Sequence, residues 1–317
     1  MPLCPHQRTL SQSISVAGIG LHNGERVSCH LHPADVNHGR VFVRTDLSDS
    51  PSIQADLRAV QPAALSTYLT QGSAAIQTTE HLLAALAGLG VDNCQIEVSG
   101  AELPILDGSA LPWVTALLQA GIRAQSAPRQ VGILSHPVTV GSGPSFVTAL
   151  PYEGLRLTYG IDFPDSPIHD QWHSWEVEAG SFVNDIAPAR TFTREQDIEP
   201  ARRNGLIKGG SLENALVCDL DSWRQPLRFE DEPVRHKLID LLGDLSLLGY
   251  PIRAHILAYR AGHTLHHQLS QRLLESGALT VTTAEGHPQE SHKMEKSKKL
   301  QTSHEQVATI VPATVGT

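Results

Sequence analysis

The clearest hydrophobic periodicity in the chain lies between Val234 and Gly249. Leucines and an isoleucine recur there at the spacing of one helical face, with Pro233 just before the segment and Gly249 at its end, where a helix is expected to begin and to stop. This pattern predicts an amphipathic helix, around which the rest of the chain is organised.

Three polar residues interrupt the apolar pattern of this predicted helix. His236, Asp240 and Asp244 follow one another at intervals of one helical turn, so a helix brings an imidazole and two carboxylates onto one stripe. A histidine and a carboxylate one turn apart can bind a metal ion, and zinc in hydrolases commonly takes three protein ligands and a water. For an isolated pattern this short, a hydrogen-bonded histidine and two solvated aspartates are the more common explanation.

The first half of the chain predicts a sheet followed by a helix. Short alternating runs between Arg8 and Leu57 indicate antiparallel strands, and the glycine-rich segment 18–24 favours a hairpin turn within them. Thr78 or Thr79 can cap the helix that follows. This cap would put Glu80 and His81 in the first helical turn, where both side chains could reach one cavity, although solvent-exposed Glu and His are also common at helix starts.

The order of predicted elements occurs twice. A strand at 93–98 and a helix capped by Asp107 follow the first helix, just as a strand at 253–259 and a helix opened by His263 follow the helix of His236. This repetition predicts an α+β fold of two duplicated domains, each with a sheet packed on two helices, facing each other across a cleft.

The expected domain boundaries follow from changes in pattern and polarity. We expect a first domain at 1–124, a polar linker at 125–130 and a second domain at 131–278. A small βαβ-type insertion at 194–220 would belong to the second domain. The polar residues 279–317 predict a disordered tail.

Composition narrows the function classes. The 317-residue chain carries a net charge of −9 with dispersed Lys and Arg, which disfavours a nucleic-acid partner. No run approaches the ~18 apolar residues of a membrane span, and the first residues lack the pattern of a signal peptide, so we expect a cytoplasmic protein. The four cysteines form no CxxC pair and are expected to be free thiols.

Seven short motifs spread from about residue 8 to about residue 275 carry a family resemblance. They are GIGLH (18–22), TEHLLAAL (79–86), PILDGS (104–109), ARTF (189–192), RFEDE (228–232), RHK (235–237) and GHTL (262–265). In this order the chain resembles the UDP-3-O-acyl-N-acetylglucosamine deacetylases, zinc enzymes of the committed step in lipid A synthesis. Each motif is weak alone, but their order is highly specific.

The resemblance implies a set of site residues. One zinc ion per chain would be held by His81, His236 and Asp240. Glu80 would act as general base, His263 as the cationic partner of the reaction, Asp244 as its orienting group and Thr191 as a hydroxyl donor to the oxyanion. The insertion would form an apolar passage for the fatty acyl chain, lined by Phe192, Gly210, Ser211, Ala215 and Val217.

The resemblance also implies the partners. The substrate would be UDP-3-O-acyl-N-acetylglucosamine, with Lys237 at its diphosphate and Arg260 where the family carries a lysine that contacts the nucleotide; Lys and Arg differ in contact geometry. We expect a monomer without a transmembrane segment, and transient contact with the membrane surface is left open. Two other classes are compatible with the pattern, a metal-free sugar-nucleotide or lipid-binding module and a structural protein, and both predict no stoichiometric zinc.

Overall fold

The computed structural model describes residues 4–284, which form a mixed α+β fold within one compact unit. The α+β class expected from the sequence is therefore confirmed. In the first half the strands are β1 (His6–Leu10), β2 (Ile14–Ile19), β3 (Arg26–Pro33), β4 (Arg40–Arg44), β5 (Ser52–Gln54), β6 (Val60–Gln61), β7 (Tyr68–Gln71), β8 (Ala74–Gln77) and β9 (Cys94–Val98). Helix α1 (Glu80–Gly88) precedes β9, and α2 (Leu111–Ala120) follows it.

The second half contains the remaining elements. Its strands are β10 (Ile122–Pro128), β11 (Gln130–Leu134), β12 (Val138–Ser142), β13 (Ser145–Pro151), β14 (Leu155–Phe163), β15 (His169–Glu176), β16 (Phe192–Arg194), β17 (Leu216–Cys218), β18 (Ile252–Tyr259) and β19 (Leu279–Thr283). Its helices are α3 (Ala179–Ser181), α4 (Glu195–Arg203), α5 (Glu232–Leu245) and α6 (His263–Glu275).

Five strands in the main sheet of each half share one order, and β11 and β19 extend the sheet of the second half to seven strands. In the first half the strand order is β2-β3-β9-β4-β5, and only the β9–β4 pair is parallel. In the second half the corresponding order is β12-β13-β18-β14-β15, and within these five strands only the β18–β14 pair is parallel. Each central strand, β9 or β18, lies between two helices in the chain, so the helices α1 and α5 occupy equivalent places.

Helices α1 and α5 pack directly on each other. Buried leucines of α1 such as Leu82 and of α5 such as Leu241 belong to the same hydrophobic core as Phe42 of the first sheet and Ile256 of the second. At the crossing, a Cβ on Gly243 would lie 2.2 Å from the backbone oxygen of Glu80, so a side chain there would force the helices apart. The absence of that side chain brings the start of α1 against the middle of α5.

The insertion is a parallel β16–β17 pair connected through α4, as expected for a βαβ-type unit. Its loop packs on the glycine-rich segment of the first half, where Lys208 N donates to His22 O at 3.2 Å and Gly209 N donates to Leu21 O at 3.0 Å. The insertion therefore bridges both halves of the chain.

Two predicted helix caps are wrong. Helix α1 begins at Glu80, but neither threonine before it makes a capping bond, since Thr78 Oγ1 donates to Glu102 at 3.0 Å and Thr79 has no side-chain capping bond. Helix α2 begins only at Leu111, and Asp107 instead accepts bonds from the backbone and side chain of Ser109. Other polar partners thus occupy the side chains of Thr78 and Asp107, whereas the Thr79 hydroxyl is buried without a hydrogen-bond partner.

Two predicted irregular segments are partly strand. Most of the segment 125–130, expected as a polar linker, belongs to β10, which pairs antiparallel with β1, and to β11. Residues 279–283, expected as the start of the tail, form β19 along β11. These segments form strands because their backbones pair with strands that are distant in the sequence. A polar composition gives no sign of such pairing. Residues 285–317 of the predicted tail lie outside the described residues.

The four cysteines are free thiols, as expected. Among residues 4–284, no helix combines the length and apolarity needed to cross a membrane.

Candidate active site

Two histidines and one aspartate form a compact cluster where α1 meets α5. His81, His236 and Asp240 each offer one ligand atom, and these atoms lie within 4.8 Å of one another. Asp240 Oδ1 is 3.4 Å from His236 Nε2 and 3.8 Å from His81 Nε2. All three side chains are buried. Two imidazole nitrogens and a carboxylate oxygen form a donor set suited to a catalytic metal ion with an open position.

Neighbouring groups orient the members of this cluster. His236 Nδ1 lies 3.1 Å from the backbone oxygen of Ala189, and this bond turns its Nε2 toward Asp240. Asp240 Oδ2 accepts a 2.6 Å bond from Lys237 Nζ, which leaves Oδ1 on the side of the histidines. Second polar partners are typical of metal ligands, and two of the three cluster members have one, so the residues present fit a bound cation.

The protonation states also suit a metal. Burial lowers the pKa of His81 to about 3, and it lowers the pKa of His236 as well. Burial opposes ionisation of Asp240, but the charges of Lys237 and the nearby imidazoles outweigh it and hold the pKa of this carboxyl well below its usual range. Neutral imidazoles and an ionised carboxylate are the forms that bind metal ions.

Glu80 lies beside this cluster at the start of α1. Burial, together with the charges of Asp240 and Asp244, raises its pKa to about 7 despite the opposing effect of His263. One carboxylate oxygen accepts from Thr67 N at 3.1 Å, and the other lies 3.9 Å from His263 Nε2. A carboxylate with a pKa near neutrality can accept and release a proton under physiological conditions.

His263, at the start of α6, forms a pair with Asp244. Its Nδ1 is 2.7 Å from Asp244 Oδ2. Burial opposes the charged imidazole, but the charge and the hydrogen bond of Asp244 outweigh it and raise the pKa of His263 to about 9. The buried carboxylate therefore keeps an imidazolium opposite Glu80.

A cavity of about 1390 Å³ opens over these groups. The lining includes Glu80, His81, His236, Asp240, His263 and Thr191, and also every residue predicted to contact substrate, namely Lys237, Arg260, Phe192, Gly210, Ser211, Ala215 and Val217. Asp244 is the one predicted site residue that does not line it, since it lies behind His263. Residues separated by more than half of the chain thus meet in one cavity.

Two predicted contact residues carry carboxylate partners of their own. The ammonium of Lys237 is bonded to Asp240, and Arg260 Nη1 lies 3.4 Å from Asp162 Oδ2. Both side chains still line the cavity, so their positive charges are available to an anionic ligand.

Sequence reasoning missed a second group of polar residues around Asp244. Thr67, His266, His267 and Tyr159 form hydrogen bonds with Asp244 or with its partners. His266 and His267 stand three and four residues after His263, a helical spacing that could have indicated a shared face. Thr67 and Tyr159 carry no local signal, because only the tertiary fold brings them to α5.

Comparison with known proteins identifies the family. Residues 7–275 match the family model described as LpxC, UDP-3-O-acyl N-acetylglycosamine deacetylase. The chain belongs to the UDP-3-O-acyl-N-acetylglucosamine deacetylase family. The resemblance inferred from the seven motifs is thereby confirmed.

Relatives named UDP-3-O-acyl-N-acetylglucosamine deacetylase match nearly their whole length. The protein of Nostoc sp. is 50% identical over 274 residues, covering 84% of this chain and 98% of the relative. That of Thermosynechococcus vestitus is 50% identical over 270 residues, covering 85% and 94%. That of Myxococcus xanthus is 42% identical over 275 residues, covering 86% and 88%.

One motif of this deacetylase family supports the site without lining it. Glu232 of RFEDE is fully buried and accepts bonds from Arg190 N at 3.0 Å and Arg190 Nε at 2.8 Å. Arg228 of the same motif donates to Asp107 Oδ2 at 2.9 Å. These contacts tie the segment that carries Thr191 to the PILDGS loop of the first half.

Proposed function

We propose that the protein is a zinc-dependent amidase that hydrolyses the N-acetyl group of UDP-3-O-acyl-N-acetylglucosamine. The products are UDP-3-O-acyl-glucosamine and acetate, and the reaction is the committed step of lipid A biosynthesis. One observation carries the proposal: a buried His-His-Asp cluster and the Glu80–His263 pair line a single cavity. Membership of the deacetylase family supplies the substrate class.

His81, His236 and Asp240 are the residues that would hold one zinc ion per chain. A bound zinc ion polarises the amide carbonyl and makes a neighbouring water more acidic. The chain itself supplies neutral imidazoles, an ionised carboxylate and a buried setting that limits competition from bulk water.

Glu80 acts as the general base. Its carboxylate takes a proton from the attacking water while the water oxygen forms a bond to the acetyl carbon. The pKa of about 7 suits this role, since such a carboxylate is about half ionised at pH 7 and binds the proton firmly enough to assist attack.

His263 acts as the cationic partner. Its imidazolium stabilises the negative charge that develops on the carbonyl oxygen, and it then gives a proton to the glucosamine nitrogen as the carbon–nitrogen bond breaks. Asp244 holds Nδ1, which leaves Nε2 to face the reacting groups. The Thr191 hydroxyl serves as an additional donor to the oxyanion.

The rest of the cavity binds the substrate. The acyl chain lies along Phe192, Ala215 and Val217, with Gly210 and Ser211 leaving room in the passage, and burial of its methylenes contributes about 0.8 kcal/mol each. Lys237 and Arg260 supply positive charge for the nucleotide diphosphate.

The fold is best explained as two duplicated α+β domains, at 1–124 and 131–278, with the active site between them. The same strand order and orientations in both sheets support duplication, as does the matching position of α1 and α5. We also propose a cytoplasmic monomer, in keeping with a nucleotide-sugar substrate.

The decisive experiment measures acetate release from UDP-3-O-acyl-N-acetylglucosamine by mass spectrometry, together with the zinc content of the purified protein. We expect stoichiometric zinc, turnover, loss of turnover with a chelator and recovery when zinc is restored. Folded protein that binds the nucleotide sugar but contains no metal and releases no acetate would instead indicate a metal-free binding module.

A further inference from the structure

Asp244 is the centre of a buried hydrogen-bond network larger than a simple His–Asp pair. Its Oδ2 contacts His263 Nδ1 at 2.7 Å and His266 Nδ1 at 2.8 Å. Its Oδ1 accepts a short bond from Thr67 Oγ1 and lies 3.3 Å from His267 Nε2. The carboxylate is fully buried, so these side chains take the place of water around it.

The network continues through His266 to Tyr159. His266 Nε2 lies 3.0 Å from the Tyr159 hydroxyl, and both side chains are fully buried. Burial lowers the pKa of His266 to about 4 and raises the pKa of Tyr159 well above its usual value, so both groups are neutral at pH 7.

The donor directions follow from these protonation states. An ionised carboxylate only accepts, so His266 must carry its proton on Nδ1 to bond Asp244. A neutral imidazole then has an acceptor at Nε2, which obliges the Tyr159 hydroxyl to donate. The Asp244 carboxylate thus sets the tautomer of His266, and the Tyr159 hydroxyl stabilises that tautomer by donating to Nε2. In this form His266 donates to the oxygen already bonded by His263.

We propose that Tyr159 and His266 are positioning residues, which fix the plane of the Asp244 carboxylate and thereby hold the His263 imidazole toward Glu80. The inference rests on the proposed function, in which His263 exchanges a proton with the substrate. The carboxylate could rotate about its terminal torsion if it were bonded only by His263. Thr67 bonds Oδ1, and His266 adds a second donor on Oδ2 beside His263 Nδ1, which holds Oδ2 in place for His263.

Neither residue can act on the substrate directly. Tyr159 in β14 and His266 in α6 are absent from the lining of the cavity, and His266 reaches it only through Asp244 and His263. Other charged or titratable groups near His263 do not belong to the series of hydrogen bonds that runs from Tyr159 through His266 to Asp244. They are Glu80 from α1, Asp240 from α5, His81, His236 and, from α6, His267. A purely structural role would make the pair matter for stability and leave turnover of the folded enzyme unchanged.

The first test is spectroscopic and needs no turnover. Two-bond proton–nitrogen correlation spectra of the zinc-loaded, full-length protein at pH 7 should show His266 as the neutral Nδ1–H tautomer. In Tyr159→Phe, which removes only the hydroxyl, the Nδ1–H population of His266 should fall. A wild-type His266 that is charged or carries its proton on Nε2 would overturn the proposal.

The second test separates positioning from packing by kinetics. For His266→Leu we expect kcat to fall by about 10- to 100-fold, the range typical of residues that orient a reacting group, with KM within about 3-fold and full zinc content. His266→Asn should stay within about 3-fold of wild type, because its amide nitrogen can replace Nδ1 as the donor to Asp244. Tyr159→Phe should lose about 3- to 10-fold in kcat.

Tyr152→Phe is the matched control. It removes a tyrosine hydroxyl that bonds Glu176 at 2.7 Å on the exposed side of the same sheet, and kcat should not change. Equal kcat for wild type and folded His266→Leu would overturn the inference; if that variant does not fold, a Tyr159→Phe kcat equal to that of Tyr152→Phe would do so. Wild-type protein that releases no acetate would overturn the proposed function itself, and the positioning role with it.

Discussion

At the scale of the residue, Glu80 has the most sharply testable role. Glu80→Gln keeps the size and the hydrogen-bonding shape of the side chain but removes the base, so we expect deacetylation to slow by about 10²- to 10⁴-fold. Zinc content should stay at the wild-type level, because the ligand set is intact. Turnover and metal content measured on the same sample check this, and unchanged turnover would remove Glu80 from the mechanism.

Substitution of Asp240, unlike that of Glu80, is expected to weaken metal binding. Asp240→Ala removes one of the three proposed ligands and leaves the ammonium of Lys237 beside two imidazoles without its carboxylate partner. Metal affinity should fall by at least about 10-fold and activity with it, with partial recovery at high zinc concentration. A zinc titration with a competing chelator measures the change. Full occupancy of this variant at wild-type affinity would contradict the ligand assignment.

The pH dependence of activity follows from Glu80 and His263. In the proposed mechanism His263 must be protonated to donate, and with its pKa of about 9 we expect activity below this value and its loss as pH rises through it. Glu80 must be ionised, so activity falls as pH drops through its pKa, which is about 7 before a neighbouring cation favours the charged form and moves it lower. The pH profile of kcat/KM should therefore be bell-shaped, and a basic limb well below pH 8 would contradict the role of His263.

At the scale of the element, the sequence predicted α5 well and its surroundings less well. The apolar spacing and Pro233 indicated the helix, and helical geometry alone put His236, Asp240 and Asp244 on one stripe. Geometry could not predict that Glu80 and His263 face that stripe, because their approach depends on how three helices pack. The cap expected at Thr78 was wrong for the same reason, since its hydroxyl bonds Glu102, which is distant in the sequence.

The crossing of α1 and α5 gives a prediction for Gly243. Gly243→Ala puts a methyl group against the backbone of Glu80, and we expect a net loss of about 1–2 kcal/mol in the free energy of unfolding, because overpacking outweighs the higher helix propensity of alanine. Since Glu80 and His81 shift with the helix, zinc affinity should fall as well. Urea unfolding and zinc competition measure the two effects.

Gly180→Ala serves as the control for this substitution. A Cβ on Gly180 would meet no atom within 4 Å, so stability should be unchanged or slightly higher, and zinc affinity should not change. Wild-type stability and zinc affinity in Gly243→Ala would show that the close approach of the helices is not needed for the site.

At the scale of the whole molecule, the sequence predicted the order of the elements better than the long-range pairing of the strands. Two successive runs of strands, helix, strand and helix suggested equivalent halves, and five strands in the main sheet of each half do have the same order. The return of β10 to β1 was missed, as was the pairing of β19 with β11, because polar strands carry little hydrophobic signal. The repeated order predicted a cleft between the halves, but which side chains meet there depends on how the halves assemble, so only family resemblance could indicate those residues from the sequence.

The last prediction concerns the insertion, because its residues complete the lining of the cavity. Ala215 lines the cavity, and Ala215→Phe should fill part of the proposed acyl passage. If the ring displaces about three methylenes worth about 0.8 kcal/mol each, kcat/KM for a long acyl chain should fall about 50-fold. A substrate whose chain ends before this point should lose little.

Comparing 3-O-acyl substrates of increasing length measures this selectivity in one enzyme. Leu220→Phe is the control, since this residue of the same insertion is 63% exposed and does not line the cavity. It should leave the dependence on chain length unchanged, which separates an effect on the passage from a general effect of a larger side chain. An equal loss for short and long chains in Ala215→Phe would mean that the acyl group lies elsewhere, and the insertion would then only support the walls of the site.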